Sequence, residues 1–504
     1  MAFVQNVPFF SIMLSMFSGI VSSVLGEKAA RRVNGVMITV VGVMSAWLLI
    51  WLCRSEVGSY TYMMGHFPAP WGNEIRAGVL EAGMALFFCV IMLLSLFGGR
   101  KKLYEEVEHT KHNIYYILAD LMLSSLLALV YTNDLFTAYV FVEINTIAAC
   151  GLIMIRQTGR TIEAAVRYMI MSLLGSGLLL MGLCMLYDLT GHLLMSNIQQ
   201  EIGELMAAGA YRIPMLIAIG IMTVGLAIKS ALFPFHAWLP DAYGYSTVSS
   251  AAILSSLVSK GYIFLLIKIF YRVIGFEHIS GSHILNILFV FGLCGMIFGS
   301  VSAIAENDVR RMIAFSSVAQ IGYIYMGFGL GTEAGMVASI FHIFVHGATK
   351  ALLFVSAIGL TDVSGGSRHF AELTGSGYRN KVAGVGFTVG SLSMVGIPLF
   401  SGFVSKLLFA EAAVIAPDWR MFPTLIVLAI STVLNAIYFL KTVLRIYSPQ
   451  SRGWERENGF YRIGGGRQKL YTLTIVLFIV LNLIFGVSSQ PILELIKDGL
   501  HHFS

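Results

Sequence analysis

Long apolar runs separated by short charged connections organise this chain, and their length predicts the elements. A helix rising 1.5 Å per residue needs about 20 apolar residues to cross the hydrocarbon of a bilayer. Fourteen stretches qualify, near residues 8–25, 33–53, 76–97, 113–131, 134–155, 163–187, 213–235, 247–272, 283–304, 309–330, 334–360, 382–413, 423–446 and 470–490. The eighth carries Ser249, Ser250, Ser255, Ser256 and Lys260, too polar a set to face lipid. The fold class expected is an all-α polytopic membrane protein. The connections then set its orientation. Odd-numbered loops hold 20 Lys and Arg, even-numbered loops and the tail hold 6, and the other 7 of 33 fall within spans. Short cytoplasmic loops collect basic residues, so the odd loops are expected inside and both termini outside the cytoplasm.

Two of the fourteen spans are interrupted. The seventh ends in GLAIKSALFPFHAWLPDAY (Gly225–Tyr243), where Pro234 and Pro240 follow Lys229. The twelfth is broken at Gly396-Ile397-Pro398, with Lys406 beyond the break. Proline removes a backbone donor and clashes with the preceding turn, so a helix there must kink or stop. At membrane depth such a break is tolerated only where protein or a water-filled cavity satisfies the freed groups. Broken helices at corresponding places of two halves point to an inverted repeat. The expected division is residues 1–112 with helices 1–3, a first five-helix repeat (helices 4–8) at 113–275, a second (helices 9–13) at 276–447, and a cytoplasmic loop with helix 14 at 448–504.

Composition narrows the class further. The chain of 504 residues is 57% hydrophobic and 12% charged, about half the charged share of ordinary soluble domains. Met1–Pro8 lacks the basic start and cleavage pattern of a signal peptide, so none is expected. The net charge of +6 reads as a topology signal, and nucleic acid is not an expected partner. Cys53, Cys89, Cys150, Cys184 and Cys294 are scattered through apolar runs. Without a CxxC or a Cys/His cluster in the sequence, neither iron–sulfur nor zinc ligation is indicated, and no cofactor or metal is expected. Gly327, Gly329 and Gly331 lack the strand–turn–helix setting of a nucleotide loop.

The remaining candidates are ionisable groups inside spans. A lysine at the bilayer centre costs roughly 2.5–3.5 kcal/mol on insertion scales and is a functional candidate by default. Lys229 and Lys260 qualify, as does Glu143 in DLFTAYVFVEINTIAACGLIM. Lys268 lies nearer its helix end and is expected to snorkel. In FHIFVHGATKALLF, His342, His346 and Lys350 stand at i, i+4 and i+8 on one flank of a helix. Two histidines four apart also suit zinc, but the HExxH glutamate and a third ligand are missing, which favours proton relay. Lys406 is a relay group or a snorkelling lysine. Asp120 suits a helix–helix seam, Glu81 and Arg167 suit structural pairs, and Asp134 and Asp241 suit caps or loop acids.

Taken in order, DLFTAYVFVE, AIKSALFPFHAWLPDAY, SSLVSKGYIFLLIK, ENDVRRMIAFSSVAQIGYI, HGATKALLF and GIPLFSGFVSKLLF are highly specific. They resemble the antiporter-like subunits of complex I, of Mrp-type cation/proton antiporters and of membrane-bound energy-converting hydrogenases. The resemblance is clearest from about Tyr115 to Tyr447 and loose over the first hundred residues. It implies fourteen helices, two inverted five-helix repeats, and broken seventh and twelfth helices. It also implies that Glu143 and Lys229 form a switching pair and Lys260 is the central lysine. His346 and Lys350 would belong to the relay of the eleventh helix, and Lys406 would be the terminal group.

The function expected is therefore movement of protons, alone or against sodium, through a relay of Glu143, Lys229, Lys260, His342, His346, Lys350 and Lys406. The partners expected are other membrane subunits and the lipid of a cell inner or plasma membrane, with redox chemistry, if any, in those other subunits. A self-sufficient carrier for a small solute is the competing reading, and it would need a substrate pocket at the midplane. A membrane enzyme is third, since no nucleophile or metal motif supports it.

Overall fold

The computed structural model describes residues 2–55, 58–64, 67, 72–416, 418–449 and 467–503. The membrane-length helices are α1 Val7–Val24, α2 Glu27–Arg54, α3 Val79–Glu106, α4 His112–Tyr131, α5 Leu135–Met154, α6 Gly159–Thr190 and α7 Arg212–Lys229. Then follow α8 Val248–Ile274, α9 His283–Ala305, α10 Val309–Gly329 and α11 Glu333–Asp362. Two half-length helices come next, α12 Lys381–Val395 and α13 Ser401–Ile415, and after them α14 Met421–Ile446 and α15 Lys469–Val487. Among the described residues 13 helices are long and apolar enough to span a bilayer, and the pair α12/α13 is the fourteenth expected crossing, split at its break. A last amphipathic helix, α16 Gln490–His501, packs against α3.

The all-α expectation has one exception. Between α2 and α3 the chain forms an antiparallel hairpin of β1 Ser59–Met63 and β2 Glu74–Gly78. Its second strand bridges from Ile75 to Thr132, and Asn133 donates to Glu74 Oε1 at 2.7 Å, tying the hairpin to the α4–α5 junction. Arg452, Arg456 and Arg462 of the basic thirteenth loop lie outside the described residues.

Burial divides the helices into a centre and a rim. In α8 and α11 every residue of the most apolar stretch is buried and in α10 94% are, against 33% in α2 and 28% in α15. The rim helices turn large apolar side chains outward, among them Val24, Ile213 and Leu444. That pattern suits a multi-pass protein dissolved in lipid, because apolar exposure is cheap there and unpaired backbone groups are not. Two of the three buried helices, α8 and α11, carry Lys260, His342, His346 and Lys350.

Corresponding elements of the two expected repeats pack alike. α4 lies against α5 as α9 does against α10, and α6 against α7 as α11 does against α12 and α13. α8 touches α4 and α7, just as α14 touches α9, α12 and α13. The halves meet near the first break, where the hydroxyls of Ser230 and Tyr325 are 2.6 Å apart.

Candidate functional site

Both breaks are built by short sequence devices. The helix α7 ends at Lys229, the chain turns through Ala231 at φ 61°, and Phe233–Pro234 begins a stretch that leads into the short helix Leu239–Tyr245. In the second break Gly396 takes the left-handed conformation at φ 90° and caps α12 through Leu392 and Ser393 carbonyls. Leu399 also has positive φ, at 87°, before α13 restarts at Ser401. A half-helix that stops inside the membrane leaves carbonyls without amide partners and a negative dipole end, which attracts a cation.

Lys229 occupies the first of these ends. Its ammonium donates to Thr146 Oγ1 at 2.7 Å, lies 4.0 Å from Glu143 Oε1 and sits 5.3 Å from the Tyr262 ring centre. It is fully buried, whereas the Glu143 side chain keeps 26% of its surface exposed. Tyr262 continues inward by donating to Asn145 Oδ1 at 3.0 Å, and Asn145 donates to Ser125 at 2.8 Å.

Lys406 takes the equivalent place at the second break. It donates to the freed carbonyl of Val395 at 2.7 Å and to Thr432 Oγ1 at 3.0 Å, with the Tyr323 ring centre 5.8 Å away. It therefore points into the break; the snorkelling alternative does not describe it. Lys229 contacts α5 and α8, and Lys406 contacts α10 and α14, which are the matching neighbours in the two halves. The counter-charge differs: among the described residues no carboxylate lies within 4.0 Å of Lys406.

Between these ends lie the other candidates. Lys260 donates to the Ser255 carbonyl and to Ser259 Oγ, the latter at 3.1 Å. Lys350 donates to the Ile313 carbonyl at 2.8 Å and to Ser316. The rings of His342 and His346 stack at 5.8 Å and 8°, and His342 Nδ1 is 2.7 Å from Ser405 Oγ on α13. His346 is wholly buried, with both ring nitrogens lacking hydrogen-bond partners among the described residues. Its charged or titratable neighbours are Lys260, Lys350 and His342. A buried orphan donor–acceptor is costly unless a water or a passing proton uses it. Lys260, Lys350 and Lys406 are thus the charged neighbours of the two histidines, and Tyr262, beside Lys229, lies two residues beyond Lys260 on α8.

Three side chains differ from the sequence reading. Lys268 does not snorkel: it is fully buried and donates to the carbonyls of Leu129, Val130 and Thr132, capping the end of α4. Asp241 is more than a loop acid, since it receives Arg311 and, at 2.8 Å, Arg167. Arg272, one of the six cations assigned by sequence to the even-numbered loops and tail, is buried against Glu81 and donates to the Phe503 carbonyl at 3.1 Å. Asp120 and Asp134 follow expectation: Asp120 accepts from Ser18 and Asn34 on neighbouring helices, and Asp134 caps α5.

The partners that sequence reasoning passed over are Thr146, Asn145, Tyr262, Tyr323, Ser405 and Thr432. Their only advance signal was polar atoms at mid-span, weak because a membrane helix can bond a serine or threonine hydroxyl to its own preceding turn. α8 adds a further feature, π-helical turns at Leu254–Val258 and Ile269–Ile274 on either side of the Lys260–Lys268 segment. Such turns often mark functional sites. A cavity of about 330 Å³, lined by Arg160, Glu306, Asp308, Arg311 and Arg368 among others, opens beside the short helix that follows the first break.

Comparison with known proteins bears on this arrangement. Residues 132–434 match the family described as NADH:quinone oxidoreductase/Mrp antiporter, TM. The chain is 32% identical over 403 residues to an NADH-quinone oxidoreductase subunit, the one designated N, of Desulforudis audaxviator, covering 79% of this chain and 76% of that protein. It is 27% identical over 431 residues to a Na(+)/H(+) antiporter subunit of Alkalihalophilus pseudofirmus, covering 86% and 83%. Among solved structures, a chain of the Mrp complex from Dietzia sp. superposes with TM-score 0.86 at 23% identity, covering 100% of this chain and 98% of that one. A chain of the membrane-bound sulfane sulfur reductase, an archaeal respiratory complex, gives TM-score 0.85 at 23% identity, covering 99% and 97%.

Proposed function

This chain belongs to the NADH:quinone oxidoreductase/Mrp antiporter transmembrane family, and from that premise we propose that it is an ion-translocating subunit of a multisubunit membrane complex. The ion is a proton, exchanged for sodium if the parent complex is an antiporter. The relatives named for NADH-quinone oxidoreductase and for Na(+)/H(+) exchange support both settings. Residues 113–275 and 276–447 act as the two repeats, and the basic odd-numbered loops face the cytoplasm. Companion membrane subunits supply the driving energy.

The observation that carries this reading is Lys229 at the end of a broken helix, 4.0 Å from Glu143. Two unit charges at that distance interact by about 4 kcal/mol at an effective dielectric of 20. Moving the ammonium from Glu143 toward the Tyr262 side removes that attraction and leaves a desolvated cation ready to yield its proton. Lys260, His346 and Lys350 receive it in turn, and His342 passes it toward Lys406. Each step is a proton transfer between side chains or bridging waters and forms no covalent intermediate.

The test is proton movement by the native complex reconstituted in vesicles. Lys229→Ala and Glu143→Gln should each lower coupled transport at least tenfold while the complex still assembles. Wild-type rates in either variant would refute the pair's switching role. Transport by the purified chain alone would refute the subunit assignment and favour a self-sufficient carrier.

A further inference from the structure

Away from the relay, at the membrane face formed by the first and third connections, three side chains from separate elements converge. Glu27 is the first residue of α2, His109 lies in the 3₁₀ turn His109–Lys111, and His112 begins α4. One ligand-type atom from each lies within 4.8 Å of the others. Glu27 Oε2 is 3.3 Å from His112 Nδ1 and 3.5 Å from His109 Nδ1. A tetrahedral ion with ligands at about 2.0–2.2 Å separates neighbouring ligand atoms by roughly 3.3–3.6 Å, so both spacings match a tetrahedron's edge.

The second observation is the state of His112. Its ring is wholly buried, and Nε2 lies 3.0 Å from the Val107 carbonyl, which can only accept. The proton is therefore on Nε2, and in the neutral ring Nδ1 presents a lone pair. That nitrogen makes no well-aligned hydrogen bond, yet it lies 3.3 Å from a carboxylate oxygen. Two acceptors so placed repel unless a metal ion, or a proton on Nδ1, sits between them. A backbone carbonyl that fixes the far nitrogen of a histidine is the usual outer support of a metal ligand. The Tyr104 ring packs edge-on against His112 at 4.4 Å and holds it in place.

We propose that Glu27, His109 and His112 form a binding site for a divalent transition-metal ion, with Zn²⁺ best suited to two imidazoles and one carboxylate. Water takes the fourth position, since the His109 side chain is 83% exposed and leaves the site open to solvent. The zinc ligation that the sequence did not indicate becomes visible only in the fold. His109 and His112 form an HTKH pair, but the third ligand lies 82 residues earlier than His109. The ion would clamp the start of α2 to the start of α4. Deeper in the same bundle Asp120 already joins α4 to α1 through Ser18 at 2.8 Å and to α2 through Asn34 at 2.5 Å. The proposal is independent of the relay.

The experiment uses the intact complex purified without a histidine tag, stripped with chelator and titrated with Zn²⁺. One equivalent per chain is expected to bind, raising the melting temperature of this subunit, because a ligand that binds only the folded state stabilises it. In His109→Ala the affinity should fall at least tenfold and the thermal shift should vanish. That residue is exposed, so its loss leaves the fold intact, and His109→Cys should restore binding. Equal affinity in wild type and His109→Ala, or no binding above that of the chelated control, would overturn the site and leave a protonated His112–Glu27 pair as the explanation.

Discussion

At the residue scale, what distinguishes the buried lysines is the company each keeps. Lys229 has an acid, a hydroxyl and an aromatic face; Lys406 has a carbonyl, a hydroxyl and an aromatic face; Lys268 has three carbonyls as its hydrogen-bond partners. On the proposed relay Lys406 exchanges a proton, whereas Lys268 holds the end of α4. Lys406→Ala should reduce coupled transport at least tenfold without loss of assembly, measured as proton uptake in vesicles; an unchanged rate would reassign it to packing. The sequence displayed these ions clearly, because a charge inside an apolar run has few innocent explanations. It misjudged Lys268, since depth near a helix end depends on which loop covers that end. It did not reveal Tyr262, Tyr323 or Thr432, whose hydroxyls and rings matter only because another helix brings a lysine to them.

At the element scale, the two breaks were legible from proline placement and the span lengths from hydropathy alone. The π-helical turns of α8 were not, since an extra residue per turn leaves no compositional mark. Nor was the hairpin Ser59–Met63/Glu74–Gly78, whose strands of five residues each are too short for side-chain alternation to betray their pairing. The second break also relies on Gly396. A Cβ there would stand 2.9 Å from Lys406 Cδ, and the residue's φ of 90° is unfavourable for any side chain. Gly396→Ala should cost about 1–2 kcal/mol of stability through backbone strain. It should lower transport more than that loss explains, because the lysine must move aside. Equal turnover in variant and wild type at matched protein levels would show that the break tolerates a displaced ammonium.

At the scale of the whole molecule, a buried pair helps to fasten the C-terminal segment to the centre, where α16 also packs against α3. Arg272 at the end of α8 binds Glu81 at the start of α3, donates to the Phe503 carbonyl and lies 4.2 Å from the Phe503 ring centre. Removing one partner of a buried pair strands the other, which typically costs about 3–5 kcal/mol. Arg272→Ala should therefore lower thermal stability markedly and expose the α16 region to protease, and adding Glu81→Ala should recover part of the loss. A double variant no better than the single would mean that the Phe503 contacts dominate. The chain marked Glu81 for a structural pair but concealed the partner, 191 residues away, and the Phe503 contact, 231 residues from Arg272.

The unequal endowment of the two breaks has an electrical consequence. Beside Lys229 stands a carboxylate that can hold a cation in place; beside Lys406, among the described residues, stand a carbonyl, a hydroxyl and a ring. On the relay reading, a positive charge placed on this row stands on a slope. Such a charge then settles readily beside Glu143, and its delivery to Lys406 waits until something outside weakens the hold of the acid end.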